Sequence, residues 1–148
     1  MKLEGHFTAN GPREQVYAFL TDPARVSRFM PDVQEVTIDD ADHFTVKAKV
    51  GISHIKGTMV MKLAIADRNP PIGTTVTGKG SGLASVVDMV TSFQLEEVGP
   101  AETLVNWKGE LTISGKLAAF GPQGLLDRMA KKNVDAFIDG IKGGLLGQ

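Results

Sequence analysis

At the amino end apolar and polar positions alternate with a period of two: Leu3, Gly5, Phe7 and Ala9 against Lys2, Glu4, His6 and Thr8. Successive side chains of a strand point to opposite faces, so this stretch reads as a strand with one buried face. Asn10-Gly11-Pro12 stops it and starts a helix, with proline suited to the first turn and Asn10 or Gly11 to the cap. Val16, Phe19 and Leu20 form the apolar stripe of that short helix, with Tyr17 beside it. Thr21-Asp22-Pro23 breaks it and opens a second short helix over Ala24 to Phe29, which Pro31 ends.

From Val33 to Ser114 the period is almost entirely that of strands. Val36 and Ile38 mark one strand, and the acidic turn Asp39-Asp40-Ala41-Asp42 follows. Phe44, Val46, Ala48 and Val50 then alternate with Thr45, Lys47 and Lys49. Ile55, Gly57, Met59, Met61, Leu63 and Ile65 share a face over eleven positions, long enough to predict a bend or bulge near Gly57. Asn69-Pro70-Pro71-Ile72-Gly73 is a turn, and a glycine-rich strand runs from Thr75 through Gly82. Val87, Met89, Thr91, Phe93 and Leu95 share the next face. Beyond the turn at Val98-Gly99-Pro100-Ala101, Val105, Trp107, Gly109, Leu111 and Ile113 continue the pattern. The count is seven strands.

After Gly115 the period lengthens. Leu126, Met129, Asn133, Phe137 and Ile141 recur at helical spacing, and Leu125, Ala130, Val134 and Ile138 widen the stripe. Asp127, Arg128, Lys131, Lys132, Asp135 and Asp139 fall mostly opposite. The pattern predicts one long amphipathic helix with a kink near Gly121-Pro122, frayed at its end by Gly143, Gly144 and Gly147. Consecutive strands with short turns make an antiparallel sheet whose apolar face needs a cover, and this helix is the only element long enough to supply it. The expected architecture is α+β: a curved seven-stranded antiparallel sheet, with two short helices after the first strand, wrapped around the long C-terminal helix. Such a helix-grip arrangement leaves a concave space between sheet and helix.

Composition narrows the function without naming it. The 148 residues fit one domain, 1–148, with 42% apolar and 22% charged residues. The absence of cysteine removes disulfides, thiol nucleophiles and cysteine-based zinc or iron–sulfur sites. Sixteen basic against seventeen acidic residues give a net charge of −1, so no global field recruits nucleic acid or an anionic membrane. Apolar runs are far below the ~20 residues of a transmembrane helix, and MKLEGHFTA has no signal-peptide core. A cytoplasmic location is the expectation.

Several stretches resemble the START-like (SRPBCC, helix-grip) superfamily, and within it the family of the carbon monoxide dehydrogenase G subunit. The opening Leu3-Glu4-Gly5-His6-Phe7, Pro12, Glu14-Gln15-Val16-Tyr17, Asp22-Pro23 and Pro31 resembles that family's start. So do Val50-Gly51, Lys56-Gly57, Asp67, Pro70-Pro71 and Gly78-Lys79-Gly80-Ser81-Gly82 in the middle. The most specific part is Gly115-Lys116-Leu117-Ala118 with Gly121, Ala130-Lys131-Lys132, Asp135 and Phe137. Many members have Pro-Gly where this chain has Pro31-Asp32, and longer members carry a membrane-attaching C-terminal extension, whereas this sequence ends at Gln148. No membrane anchor is carried over, although peripheral membrane contact stays open. The resemblance implies a non-catalytic domain that binds a lipid, quinone or isoprenoid-like molecule. It also implies an accessory role toward a carbon monoxide dehydrogenase-type molybdenum hydroxylase.

Candidate ligand-binding residues follow from the strand and helix faces: Phe44, Met59, Met61, Met89, Phe93, Trp107, Met129, Asn133 and Phe137. A methionine and aromatic stripe usually packs as core, but methionine also adapts to varied apolar ligands. Asn133 lies between Met129 and Phe137 on the apolar stripe, where an amide needs a partner, either a strand, a water or a ligand. His6, His43 and His54 share parity with polar neighbours and point to the solvated face. No close histidine pair suggests a metal, so neither a metal nor a cofactor is expected. The glycine run 78–82 is no phosphate loop, because strands flank it on both sides; sheet bending or a rim at the pocket mouth accounts for it. Asp39, Asp40 and Asp42 read as a solvated turn and Asp88 as outward-facing. No catalytic residue is assigned. A polyketide cyclase-like enzyme, drawing on Asn133, Thr91, Tyr17 or Asp88, is the alternative, along with a protein-docking module whose cavity is vestigial.

Overall fold

The computed structural model describes residues 1–52, 55–119 and 124–146. Along the chain come β1 (Lys2–Asn10), α1 (Arg13–Leu20), α2 (Pro23–Val26) running into a 3-10 turn (Ser27–Phe29), β2 (Val33–Ile38), β3 (His43–Ile52) and β4 (Ile55–Asn69). Then follow β5 (Gly73–Gly82), β6 (Ser85–Gly99), β7 (Glu102–Gly115), α3 (Lys116–Ala119) and α4 (Leu125–Leu146). The strands form one antiparallel sheet in the order β1-β7-β6-β5-β4-β3-β2. The first two strands are therefore its two edges, and α1 and α2 carry the chain from one edge to the other. The sheet is curved and unclosed, as the alternation predicted.

Local chemistry explains the breaks. Asp22 caps α2, its carboxylate accepting from the Ala24 amide at 3.1 Å and pairing with Arg25 at 2.9 Å. After Pro31 the chain turns at Asp32 with φ +60°, a left-handed value that glycine adopts freely and aspartate tolerates better than most residues.

Three expectations need correction. The irregularity of β4 lies between Ala66 and Asn69, where Asp67 has φ +52°, and not at Gly57. Gly57 stays in register opposite Val50, and its missing Cβ leaves the space that Leu83 fills. The region after Gly115 is not one helix: the four-residue α3 precedes α4, which starts at Leu125. The kink predicted at Gly121-Pro122 lies outside the described residues, as does Gly147. Finally, Gly143 and Gly144 do not fray the helix, which continues to Leu146. Buried Ile141 and Leu145 hold this last part down, and Gly140 and Gly144 let the Phe29 ring approach the helix.

Inner-face side chains collect into three clusters. The first joins β1, α1, α2, the sheet and the end of α4 through Phe7, Ala9, Val16, Tyr17, Phe19, Phe93, Leu95, Val105, Ile141 and Leu145. Phe29 stacks on Phe19 there, with ring centroids 5.7 Å apart. The second gathers Phe44, Val46, Leu63 and Ile65 on β3 and β4. The third joins Met59, Val87 and Leu117 to Leu125, Leu126 and Met129 at the start of α4.

Candidate functional site

The strand registers fix which residues can share a site. Met61 lies opposite Gly80, Gly78 opposite Met89, Met89 opposite Leu111, and Phe93 opposite Trp107, all on the inner face. Gly78 and Gly80 therefore sit between two methionine-bearing strands with no side chain of their own. A Cβ on Gly78 would lie 3.2 Å from Cε of both Met61 and Met89, and one on Gly80 would lie 3.0 Å from Cγ of Met61. Both methionines use the space that the glycines leave. The glycine run thus has a role the sequence analysis missed. The signal was present in the alternation of Gly78, Gly80 and Gly82 with Lys79 and Ser81, which puts every glycine on the apolar face.

The nine predicted residues separate into three groups. Phe44, Met59 and Phe93 are buried, one in each cluster. Met61, Met89, Trp107, Met129 and Phe137 are half-buried and lie at the borders of those clusters. Thr91, Gly109 and Leu111, also inner-face and half-buried, continue the same strip. Asn133 is exposed, so the expectation of a buried amide in need of a partner is corrected. Helix α4 is seated at two places, by Leu125, Leu126 and Met129 on the third cluster and by Phe137, Ile138, Ile141 and Leu145 on the first. Asn133 lies on the span between those seats.

Two polar atoms in the apolar wall have no partner among the described residues: the Tyr17 hydroxyl and Trp107 Nε1. Tyr17 is 6% exposed and belongs to the first cluster, against which Trp107 packs. The nitrogen-bearing edge of the indole lies over Gly5, where a Cβ would come within 3.2 Å of Nε1. Leaving such a group unpaired costs about 1–3 kcal/mol, so each marks a place where an acceptor is wanted. A third such atom, Nε of Arg13, belongs to a residue that is half-buried as a whole.

Elsewhere the polar groups behave as a solvated surface. His6 and His43 are exposed, as is Asp88, while His54 lies outside the described residues. His43 Nδ1 is 2.8 Å from an Asp40 oxygen; that hydrogen bond raises the His43 pKa and lowers that of Asp40. Among the described residues no group of three or more histidines and carboxylates is placed to hold a metal. No described helix is long and apolar enough to cross a membrane. A cleft of about 770 Å³ opens at the β4–β5 turn, walled by Glu4, His6, Asn69, Gln94, Asn106 and Lys108. Ile72 also lines it, and of the predicted residues it touches only Phe93 and Trp107, so its wall mixes polar and apolar groups.

Comparison with known proteins agrees with this fold. The family model described as the G subunit of carbon monoxide dehydrogenase (CoxG) matches residues 5–145. Among curated proteins, none matches the chain by sequence. Among solved structures, a conserved protein from Geobacillus kaustophilus is similar, with 22% identity and a TM-score of 0.88 over 99% of this chain and 96% of that one. A START superfamily protein from Mycobacterium smegmatis is 10% identical, with a TM-score of 0.72 over 99% of this chain and 97% of its own. The Zhui aromatase/cyclase from Streptomyces sp. R1128 is 15% identical, with a TM-score of 0.67 over 98% of this chain and 93% of its own. At such identities the likeness is one of fold.

Proposed function

We propose a function from one premise: the chain belongs to the CoxG family, that of the carbon monoxide dehydrogenase G subunit. Residues 1–148 act as one domain that binds an apolar small molecule, without catalysis, between the inner face of the sheet and α4. The ligand is lipid-like, with a quinone or isoprenoid tail as the best fit to a long apolar strip. The observation that carries this is that Met61, Met89, Trp107, Met129 and Phe137 are all only half-buried, with Met61 and Met89 over Gly78 and Gly80 and Trp107 over Gly5. A solid core would bury these residues, as it buries Phe44 and Leu63. Methionine end groups adapt to irregular apolar shapes, which suits a ligand of variable conformation.

In this reading the protein serves as an accessory to a molybdenum hydroxylase of the carbon monoxide dehydrogenase type, and it works in the cytoplasm. The partner rests on the family name, and peripheral contact with a membrane would supply an apolar ligand. The enzymatic alternative finds support in the Zhui aromatase/cyclase and in half-buried Thr91. It is the weaker reading, because Asp88 and Asn133 are both exposed, which leaves Thr91 and Tyr17 of the four candidates, an incomplete acid–base set.

Native mass spectrometry of protein purified from a membrane-containing lysate, with organic extraction, tests the carrier. A lipid or quinone adduct is the expected result. Apo masses from several lysates, together with turnover of an aromatic polyketide that Thr91→Val abolishes, would replace this reading with the enzymatic one. Co-purification of a large dehydrogenase with no adduct would favour pure docking.

A further inference from the structure

The apolar strip has a polar end. Trp107 Nε1 and the Tyr17 hydroxyl are shielded from solvent, unpartnered among the described residues, and part of one apolar cluster at the α1 side of the grip. An indole N–H can only donate, so whatever satisfies it must accept. No described side chain does so.

We propose that these two groups hold the head of the ligand, both donating hydrogen bonds to a carbonyl-type oxygen on an otherwise apolar molecule. The proposal rests on the carrier reading and deepens it by stating the ligand's chemistry and direction. The oxygen-bearing end points toward α1 and β1, and the hydrocarbon end runs along Met61, Gly78 and Met89. Two donors from different elements, a helix and a strand, would fix the oxygen in place. The methionines, by contrast, would tolerate tails of different length or branching. Selectivity would then lie at the head and permissiveness along the tail. A site built to hydrogen-bond an oxygen discriminates strongly against an analogue that lacks it, because the buried donors are then left unpaired. A hydrocarbon of the same shape should therefore be a poor ligand.

The test is calorimetric titration of delipidated full-length protein with two matched probes, hexanophenone and hexylbenzene, which differ by one carbonyl oxygen. Wild-type protein is expected to prefer hexanophenone by about tenfold. Tyr17→Phe removes only the hydroxyl, so it should lower hexanophenone affinity by about tenfold while changing that of hexylbenzene by less than about twofold. Its melting temperature should hold or rise, because an unpaired buried hydroxyl is gone. Trp107→Phe provides the second variant and should likewise narrow the preference. If both probes bind and neither substitution alters their ratio, the head-group assignment is overturned while the carrier reading stands. If neither probe binds wild-type protein, both fall together.

Discussion

The two ends of α4 meet the rest of the molecule very differently. Around Ile141 and Leu145 the helix is locked down: both are buried, Phe29 lies against Gly140 and Gly144, and Phe19 and Phe29 stack. Toward the middle of the helix, Asn133 is exposed and Met129 and Phe137 are half-buried, while Gly78, Gly80 and Gly109 lie on the inner face of the sheet. One apolar stripe is thus buried at one end and only half-buried along its middle. On the proposed reading, stability and binding are separable along this single helix.

Truncations at the two ends should break the molecule unequally. Ile141→Ala is expected to cost about 2–5 kcal/mol, and Met89→Ala only about 1 kcal/mol, in urea unfolding. Equal costs would mean that the strip around Met89 is ordinary core. Glycines sharpen the contrast. At Gly144 an added Cβ would meet Phe29 Cζ at 2.5 Å and Phe19 Cζ at 3.0 Å. Gly144→Ala should thus destabilise by about 1–2 kcal/mol despite the gain in helix propensity. Its neighbour Gly143 has nothing within 4 Å, so Gly143→Ala should stabilise by about 0.5–1 kcal/mol.

In the strip, Gly78→Ala would press on Leu63 Cδ2 at 2.8 Å and on the Met61 and Met89 end groups at 3.2 Å. Flexible ends move aside, so stability should change by less than about 1 kcal/mol. The displaced methionines would then occupy ligand space, and affinity for an apolar probe should fall.

The smallest effect belongs to the His43–Asp40 pair on the β2–β3 turn, remote from both ends. Its hydrogen bond raises the His43 pKa, so that contribution is present below the unfolded value of about 6.5 and fades as pH rises through the folded one. Asp40 is lowered, so its contribution is present above about pH 4 and fades as pH falls through the folded value. Between those limits the pair contributes most, and Asp40→Asn should lower the NMR titration midpoint of His43. Ligand affinity should follow neither change.

Much of this was legible in the sequence because strand alternation carries its own register. Phe44, Met59 and Phe93 were placed on the inner face correctly, and His6, His43 and Asp88 on the outer. What periodicity does not reveal is the distance between two apolar faces. Asn133 shares helical spacing with Met129 and Phe137 yet is exposed, because the covered face of the helix runs through Ala130, Val134, Ile138, Ile141 and Leu145 and leaves Asn133 at its edge. Nor does periodicity reveal that the space left by Gly78 and Gly80 is taken up by the Met61 and Met89 side chains from the neighbouring strands. Tyr17 was visible beside an apolar stripe, but that its hydroxyl lacks a partner depends on elements far apart in the chain.

The central claim is that the ligand lies between the sheet and α4, on the inner face. Adjacent residues of β4 test it most directly, because half-buried Met61 faces inward and exposed Lys62, next to it, faces outward. Native mass spectra should be recorded for Met61→Glu and Lys62→Glu purified from the same membrane-containing lysate, with circular dichroism to establish that both fold. The account predicts that the adduct survives in Lys62→Glu and disappears in Met61→Glu. An adduct retained by both, or lost from Lys62→Glu alone, would put the ligand outside the grip and contradict it.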